Sequence, residues 1–173
     1  MFRKGFFTAV LKSISKGIIL TVAILLLYQY IGFTVISRGE SMKPTLDKVE
    51  LMYASRISYH IGEPERFDIA IIKSGFDDDL YLCKRIIGMP GEVVRIGEDG
   101  VIYINGRVLK EDFEFATIEN PGIARDGIYL GEDEYFVLGD NRNNSFDSRS
   151  GAIGPVTRQQ IVAEGIQIFR DQK

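Results

Sequence analysis

The sequence predicts a mainly β domain, barrel-like and compact, behind one N-terminal transmembrane helix. Three observations carry this. Gly17 to Ser37 contains no charged residue. Beyond Ser37 the chain breaks into short β-branched and aromatic runs separated by turn residues. The 173 residues, 45% apolar and 26% charged, suffice for one folded body rather than two.

The apolar stretch comes first in the chain. About 21 uncharged residues at roughly 1.5 Å rise each give about 32 Å of helix, enough to cross a bilayer. Residues 1–16 hold Arg3, Lys4, Lys12 and Lys16 and no acid, leaving 17 of the 21 basic residues against all 24 acids in the remainder. Basic flanks stay cytoplasmic. The expected organisation is therefore a cytoplasmic basic tail at 1–16, a single-pass anchor in the cell membrane at 17–36 and an extracytoplasmic domain at 37–173, with Tyr28, Tyr30 and Phe33 towards the far interface. A cleaved secretory signal has a similar start but a shorter apolar core. A buried core helix would need apolar partners all round, and no other segment supplies them.

Strands are expected at Asp68–Lys73, Leu80–Ile87, Glu92–Ile96, Val101–Ile104, Arg107–Leu109, Ile128–Leu130, Tyr135–Leu138 and Gly165–Phe169. Gly97 to Gly100 closes one hairpin. Asn105-Gly106 closes the next, because both residues tolerate the positive φ of a type I′ turn. These give a three-stranded meander. Residues 111–134 carry eight acids and one base, Arg125, and read as a solvated excursion, as does the Asp77 to Asp79 triplet between strands.

Composition removes several classes of function. A net charge of -3 with no Lys/Arg tract offers nothing to a phosphate backbone, so nucleic acid is not an expected partner. One Cys and one His leave no disulfide framework, no zinc site and only one candidate for a Ser/His/Asp triad, His60, in a polar stretch with no orienting acid. The run Asp140 to Asn144 suggests calcium only superficially: Arg142 falls on a ligand position and no Glu follows at the twelfth. No metal or organic cofactor is expected.

What remains is a serine activated without histidine. Ser41, in SRGESMKPTL, lies just beyond the apolar stretch, with Gly39 two residues earlier leaving backbone N–H groups accessible to a substrate oxyanion. The base can be a lysine if its ammonium is desolvated. In YLCKRII, strand alternation places Lys84 between Leu82 and Ile86 on an apolar face. The segment GDNRNNSFDSRSGAIG packs Asp140, Arg142, Asp147 and Arg149 among small polar residues, and Ser145 there can accept a hydrogen bond from Lys84. Each feature also fits a plain structural role: a turn serine, an exposed strand lysine, a salt-bridged loop. Cys83 reads as a small buried apolar residue.

Together, SMKPT, KRIIGMPGE and GDNRNNSFDSR, in that order behind one anchor, resemble the bacterial type I signal peptidases, in their compact Gram-positive form. The resemblance implies Ser41 as nucleophile, Lys84 as general base and Ser145 as a residue positioning the lysine. It implies that Asp147 and Arg149, with Arg85, hold the active-site loop, and that Met42 lines the pocket for small residues before the cut. The implied substrates are exported preproteins with signal peptides, met at the lipid bilayer, and the implied fold is a β peptidase domain. Gly39 stands where Gram-negative members have a serine, which implies an oxyanion hole of backbone donors including the Ser41 N–H. Phe67 stands where a glycine is common. A peptidase dedicated to one client and a catalytically silent tethered domain are the competing readings.

Overall fold

The computed structural model describes residues 2–75 and 80–167. The chain opens with helix α1, Phe2–Ile31. Its stretch Val10–Tyr28 is long and apolar enough to cross a membrane, and none of it is buried against the rest of the chain. This is not the environment of a core helix.

The helix ends earlier than the uncharged stretch does. Gly32–Arg38 is strand β1, so residues 32–36, expected to complete the anchor, belong to the sheet. Thr34, Val35 and Ile36 are β-branched and favour the pleated conformation. They also alternate: Phe33 and Val35 pack inward while Thr34 and Ile36 face out. The junction has no linker. The Ile31 carbonyl accepts the Arg56 and Ile57 amides at 2.9 and 3.0 Å, closing helix carbonyls that would otherwise lack partners. Gly32 lies so close to Tyr53 and the Ala54 carbonyl that no Cβ fits.

The remaining strands are β2 (Val49–Ser55), β3 (Ile69–Lys73), β4 (Tyr81–Gly88), β5 (Val93–Ile96), β6 (Ile102–Ile104), β7 (Arg107–Val108), β8 (Ile128–Tyr129), β9 (Glu134–Leu138), β10 (Val156–Thr157) and β11 (Ile161–Gln167). A short helix α2, Ser58–Ile61, follows β2. All pairings are antiparallel, in a seven-stranded sheet ordered β1-β2-β11-β3-β4-β9-β10 and a four-stranded one ordered β7-β6-β5-β8. The expected meander is β5-β6-β7, with Asn105 at φ 50° and Gly106 at φ 77° in its second turn. β1, β2 and β10 were not anticipated. β2 has apolar residues on both faces, so its sequence does not alternate, and β10 spans two residues. The last strand starts earlier than expected, and residues 168 and 169 lie outside the described residues, as does Asp77 to Asp79.

The core follows from this layering. Ile87, Phe136 and Leu138 of the large sheet meet Val94, Ile96 and Ile102 of the small one, with Ile118 and Leu130 between. Fully burying each such side chain contributes about 1.5–3 kcal/mol. A second cluster joins Ala70, Ile72, Ile86, Val137, Val156 and Ile161. A third, Met42, Leu46 and Met52, lies beneath the segment after β1.

Phe67 sits at φ 77°, a left-handed conformation that disfavours side chains. Its ring packs against the main core. Replacing Phe67 with Ala and with Gly loses the ring in both cases, but only glycine accepts this φ freely. Phe67→Gly should therefore be more stable than Phe67→Ala by about 1 kcal/mol in urea unfolding. The opposite ranking would mean that position 67 carries no backbone strain.

Candidate active site

Three segments far apart in sequence converge here. The first is the turn after β1. The Gly39 amide donates to the Lys48 carbonyl at 2.9 Å, and Gly39 has φ 126° with open space where a Cβ would project. Met42 is 3% exposed, sealed between Leu46 and Met52. It fixes the turn from below, so Ser41 stands on a packed base.

The second segment is β4. Lys84 is 3% exposed, and its Nζ donates to Ser41 Oγ at 2.8 Å. Leu82 and Ile86 join one apolar cluster while Cys83 packs against others, so the alternation read from the sequence holds. Burial pushes the Lys84 pKa below the ordinary lysine value, and Arg149 pushes the same way. Asp147 and Asp140 oppose this, Asp147 more strongly, but desolvation prevails. Burial also pushes the Cys83 thiol up to about 12, so it stays protonated and unreactive.

The third segment follows β9. Arg85 pairs with Leu138 across the ladder between β4 and β9, so the next step of that register sets Lys84 beside Gly139. Gly139 has no room for a side chain: a Cβ there would run into the Ser145 hydroxyl and the Ser41 carbonyl. The Asn141 amide donates to that same Ser41 carbonyl at 2.9 Å, and its side-chain amide to the Glu40 carbonyl at 3.0 Å. Sequence reading missed both residues. Their signal was the glycine directly after EYFVL and the polar run behind it.

Asp147 and Arg149 form a buried pair, Nε to Oδ1 at 2.8 Å and Nη2 to Oδ2 at 2.9 Å, and Asp147 also accepts the Gly139 amide at 3.1 Å. Arg85 does not join them. It forks onto Asp140 at 2.8 and 2.6 Å and donates to the Phe67 carbonyl at 2.7 Å. Arg142, 2% exposed, forks onto Glu111 at 3.0 and 2.5 Å. The loop that superficially resembled a calcium site thus spends its charges on ion pairs. Ser145 lies against Gly139, its hydroxyl buried and without a hydrogen-bond partner among the described residues, so no bond to Lys84 is made.

A half-buried serine hydroxyl held by a desolvated amine is an arrangement for acyl transfer. A family model described as signal peptidase, peptidase S26, matches residues 10–169. The chain belongs to the signal peptidase family. It is 34% identical over 166 residues to signal peptidase I S of Bacillus subtilis (strain 168), covering 90% of this chain and 86% of that one. It is 36% identical over 162 residues to signal peptidase I of Bacillus amyloliquefaciens, covering 89% and 82%. A crystal structure of a signal peptidase I from Enterococcus faecalis V583 matches at 35% identity and a TM-score of 0.48, over 58% of this chain and 95% of that one. The activity is that of a signal peptidase I, a serine endopeptidase acting on preproteins that carry signal peptides.

For a signal peptidase built this way, Gly139→Ala should displace Ser41, Ser145 or both. Cleavage of a preprotein should fall by about 100-fold or more, as expected when reacting groups are misplaced by about an ångström. The far-ultraviolet circular dichroism should stay that of the parent. Full activity in Gly139→Ala would refute the close approach.

Proposed function

We propose that Ser41 and Lys84 form the catalytic dyad and that the catalytic domain works at the extracytoplasmic face of the membrane, anchored by α1 with its basic start in the cytoplasm. The observation that carries this is the 2.8 Å contact between Nζ of the buried Lys84 and Oγ of the half-buried Ser41. In its neutral form Lys84 accepts the Ser41 proton as Oγ attacks the carbonyl carbon before the cut. Lys84 then hands that proton to the leaving amine, and the peptide bond breaks to leave an ester on Ser41. Water, deprotonated by the same amine, hydrolyses the ester and restores both residues. Backbone donors beside Gly39, including the Ser41 N–H, face the oxyanion. The Ser145 hydroxyl, which has no hydrogen-bond partner among the described residues, takes the Lys84 hydrogen bond while Ser41 is acylated.

Anchoring follows the same logic. Enzyme and preprotein that share one bilayer meet in two dimensions, at a higher effective concentration than free solution gives.

The lysine sets the pH dependence. Only neutral Lys84 is a base, so turnover should rise with pH through its lowered pKa. Asparagine at position 147 removes the carboxylate that most raises that pKa and leaves Arg149, which lowers it. The rising limb of kcat for Asp147→Asn should therefore move to lower pH. A limb that moves up, or stays, contradicts the electrostatic assignment.

Variants at 41 and 84 test the dyad directly. Ser41→Ala and Lys84→Arg should each lose at least about 1,000-fold in kcat, since a guanidinium does not deprotonate at these pH values. Lys84→Met should lose activity and gain stability. The unfolded chain keeps an ordinary lysine near 10.5 while the fold lowers it, so between those values the unfolded chain binds more protons and wild-type stability rises with pH. Lys84→Met should melt above wild type at pH 7, with the gap closing as pH rises towards about 10. Turnover by Lys84→Met would place the base elsewhere.

A further inference from the structure

Residues 109–121 form neither helix nor strand until the 3-10 turn at Gly122–Arg125, yet their start is fastened to the site. Both ends are pinned. The Leu109 amide donates to the Ile102 carbonyl at 2.8 Å, Ile118 is buried in the main core, and Asn143 bonds the Thr117 carbonyl and the Glu119 amide at 2.9 and 3.0 Å. Between these pins two phenylalanines lie over two arginines. The Arg85 guanidinium is 4.9 Å from the Phe113 ring centre and 5.9 Å from that of Phe115, and the Arg142 guanidinium is 4.2 Å from Phe115. The rings lie 5.8 Å apart, tilted by 39°. Phe113 is 43% exposed although it is a large apolar side chain, so burial of its own surface does not explain its place. A cation held against an aromatic face does.

The two arginines lead to the reacting groups. Arg85 follows Lys84 on β4 and grips Asp140. Asp140 precedes Asn141, whose amide holds the Ser41 carbonyl, and the Asp140 carbonyl accepts the Arg142 amide at 2.9 Å. Arg142 is also tied to Glu111 at the start of the strap. We propose that residues 109–119 are a positioning strap in which Phe113 and Phe115 hold the Arg85 and Arg142 guanidiniums flat and thereby set the distance between Ser41 and Lys84. The strap touches neither reacting atom. It acts through Asp140 and Asn141, and the proposal rests on the dyad assigned above.

The test uses the full chain in detergent or lipid with a preprotein substrate. Replacing Phe113 and Phe115 together by Ala should lower kcat at least tenfold with KM within about twofold, because the chemistry is misaligned and no substrate contact is removed. A second readout separates positioning from general loosening. Around Lys84 stand Asp147, Asp140, Cys83 and Arg149. Freeing Arg85 uncovers the Asp140 charge, so the rising limb of kcat should move to higher pH. Tyr at both positions keeps the aromatic faces and should restore rate and limb, whereas Leu at both keeps apolar volume and should restore neither. Wild-type kcat and limb in the double Ala variant would overturn the proposal, as would rescue by Leu equal to that by Tyr, or a rate loss with the limb unmoved. A flat wild-type pH profile, or activity surviving in Lys84→Arg, would instead count against the dyad.

Discussion

The rest of the site is organised around one amine that water does not reach. Lys84 sits on a strand between aliphatic neighbours and meets Ser41 Oγ, and among the described residues no carboxylate is paired with it. A buried ammonium is unstable unless it is paired or gives up its proton. Here the nearby carboxylates are already engaged: Asp147 by Arg149, Asp140 by Arg85. The pairs supply order without supplying Lys84 with a counter-ion. Swapping Arg149 away would leave Asp147 unpaired and remove a positive charge that lowers the Lys84 pKa, and the chemistry that needs a neutral amine would suffer even though the hydrogen bond to Ser41 remained possible.

Backbone does as much as side chains. Ladder register puts β4 beside β9, so a base on one strand and the glycine after the other arrive together. Gly139 then lets the serine turn approach to contact distance, Asn141 fastens it, and Met42 and Leu46 sink it into a core of its own. None of these residues bears a reactive group. They convert three loosely related sequence segments into one geometry, which is why a single contact between Ser41 and Lys84 needs so much neutral scaffolding.

Much of this was legible in the sequence, and the reasons differ by element. The apolar helix, the meander and the Asn105-Gly106 turn depend on local patterns, and local patterns survive into the fold. The lysine between Leu82 and Ile86 was legible for the same reason. The end of the helix was not, because the uncharged run continues into β1 and only pairing with β2 decides where helix gives way to strand. The excursion from residue 111 was read by its charge, which hid the two phenylalanines and the glutamate that return to Arg85 and Arg142. Arg85 was placed with Asp147 and Arg149 on the strength of resemblance, and its choice of Asp140 is a matter of three-dimensional reach. Gly139 was invisible for a simpler reason: a glycine shows its purpose only through what presses on it.

The junction at Gly32 has a mechanical meaning. A flexible linker there would let the helix rock while the domain kept its own attitude. Instead the last helical carbonyl is clamped by Arg56 and Ile57, Tyr28 reaches back to Thr34 at 3.3 Å, and the residues leading to the serine turn run as a paired strand. Helix and sheet therefore turn as one lever. A tilt or rotation imposed on α1 is carried directly into β1, the strand that leads to the Ser41 turn.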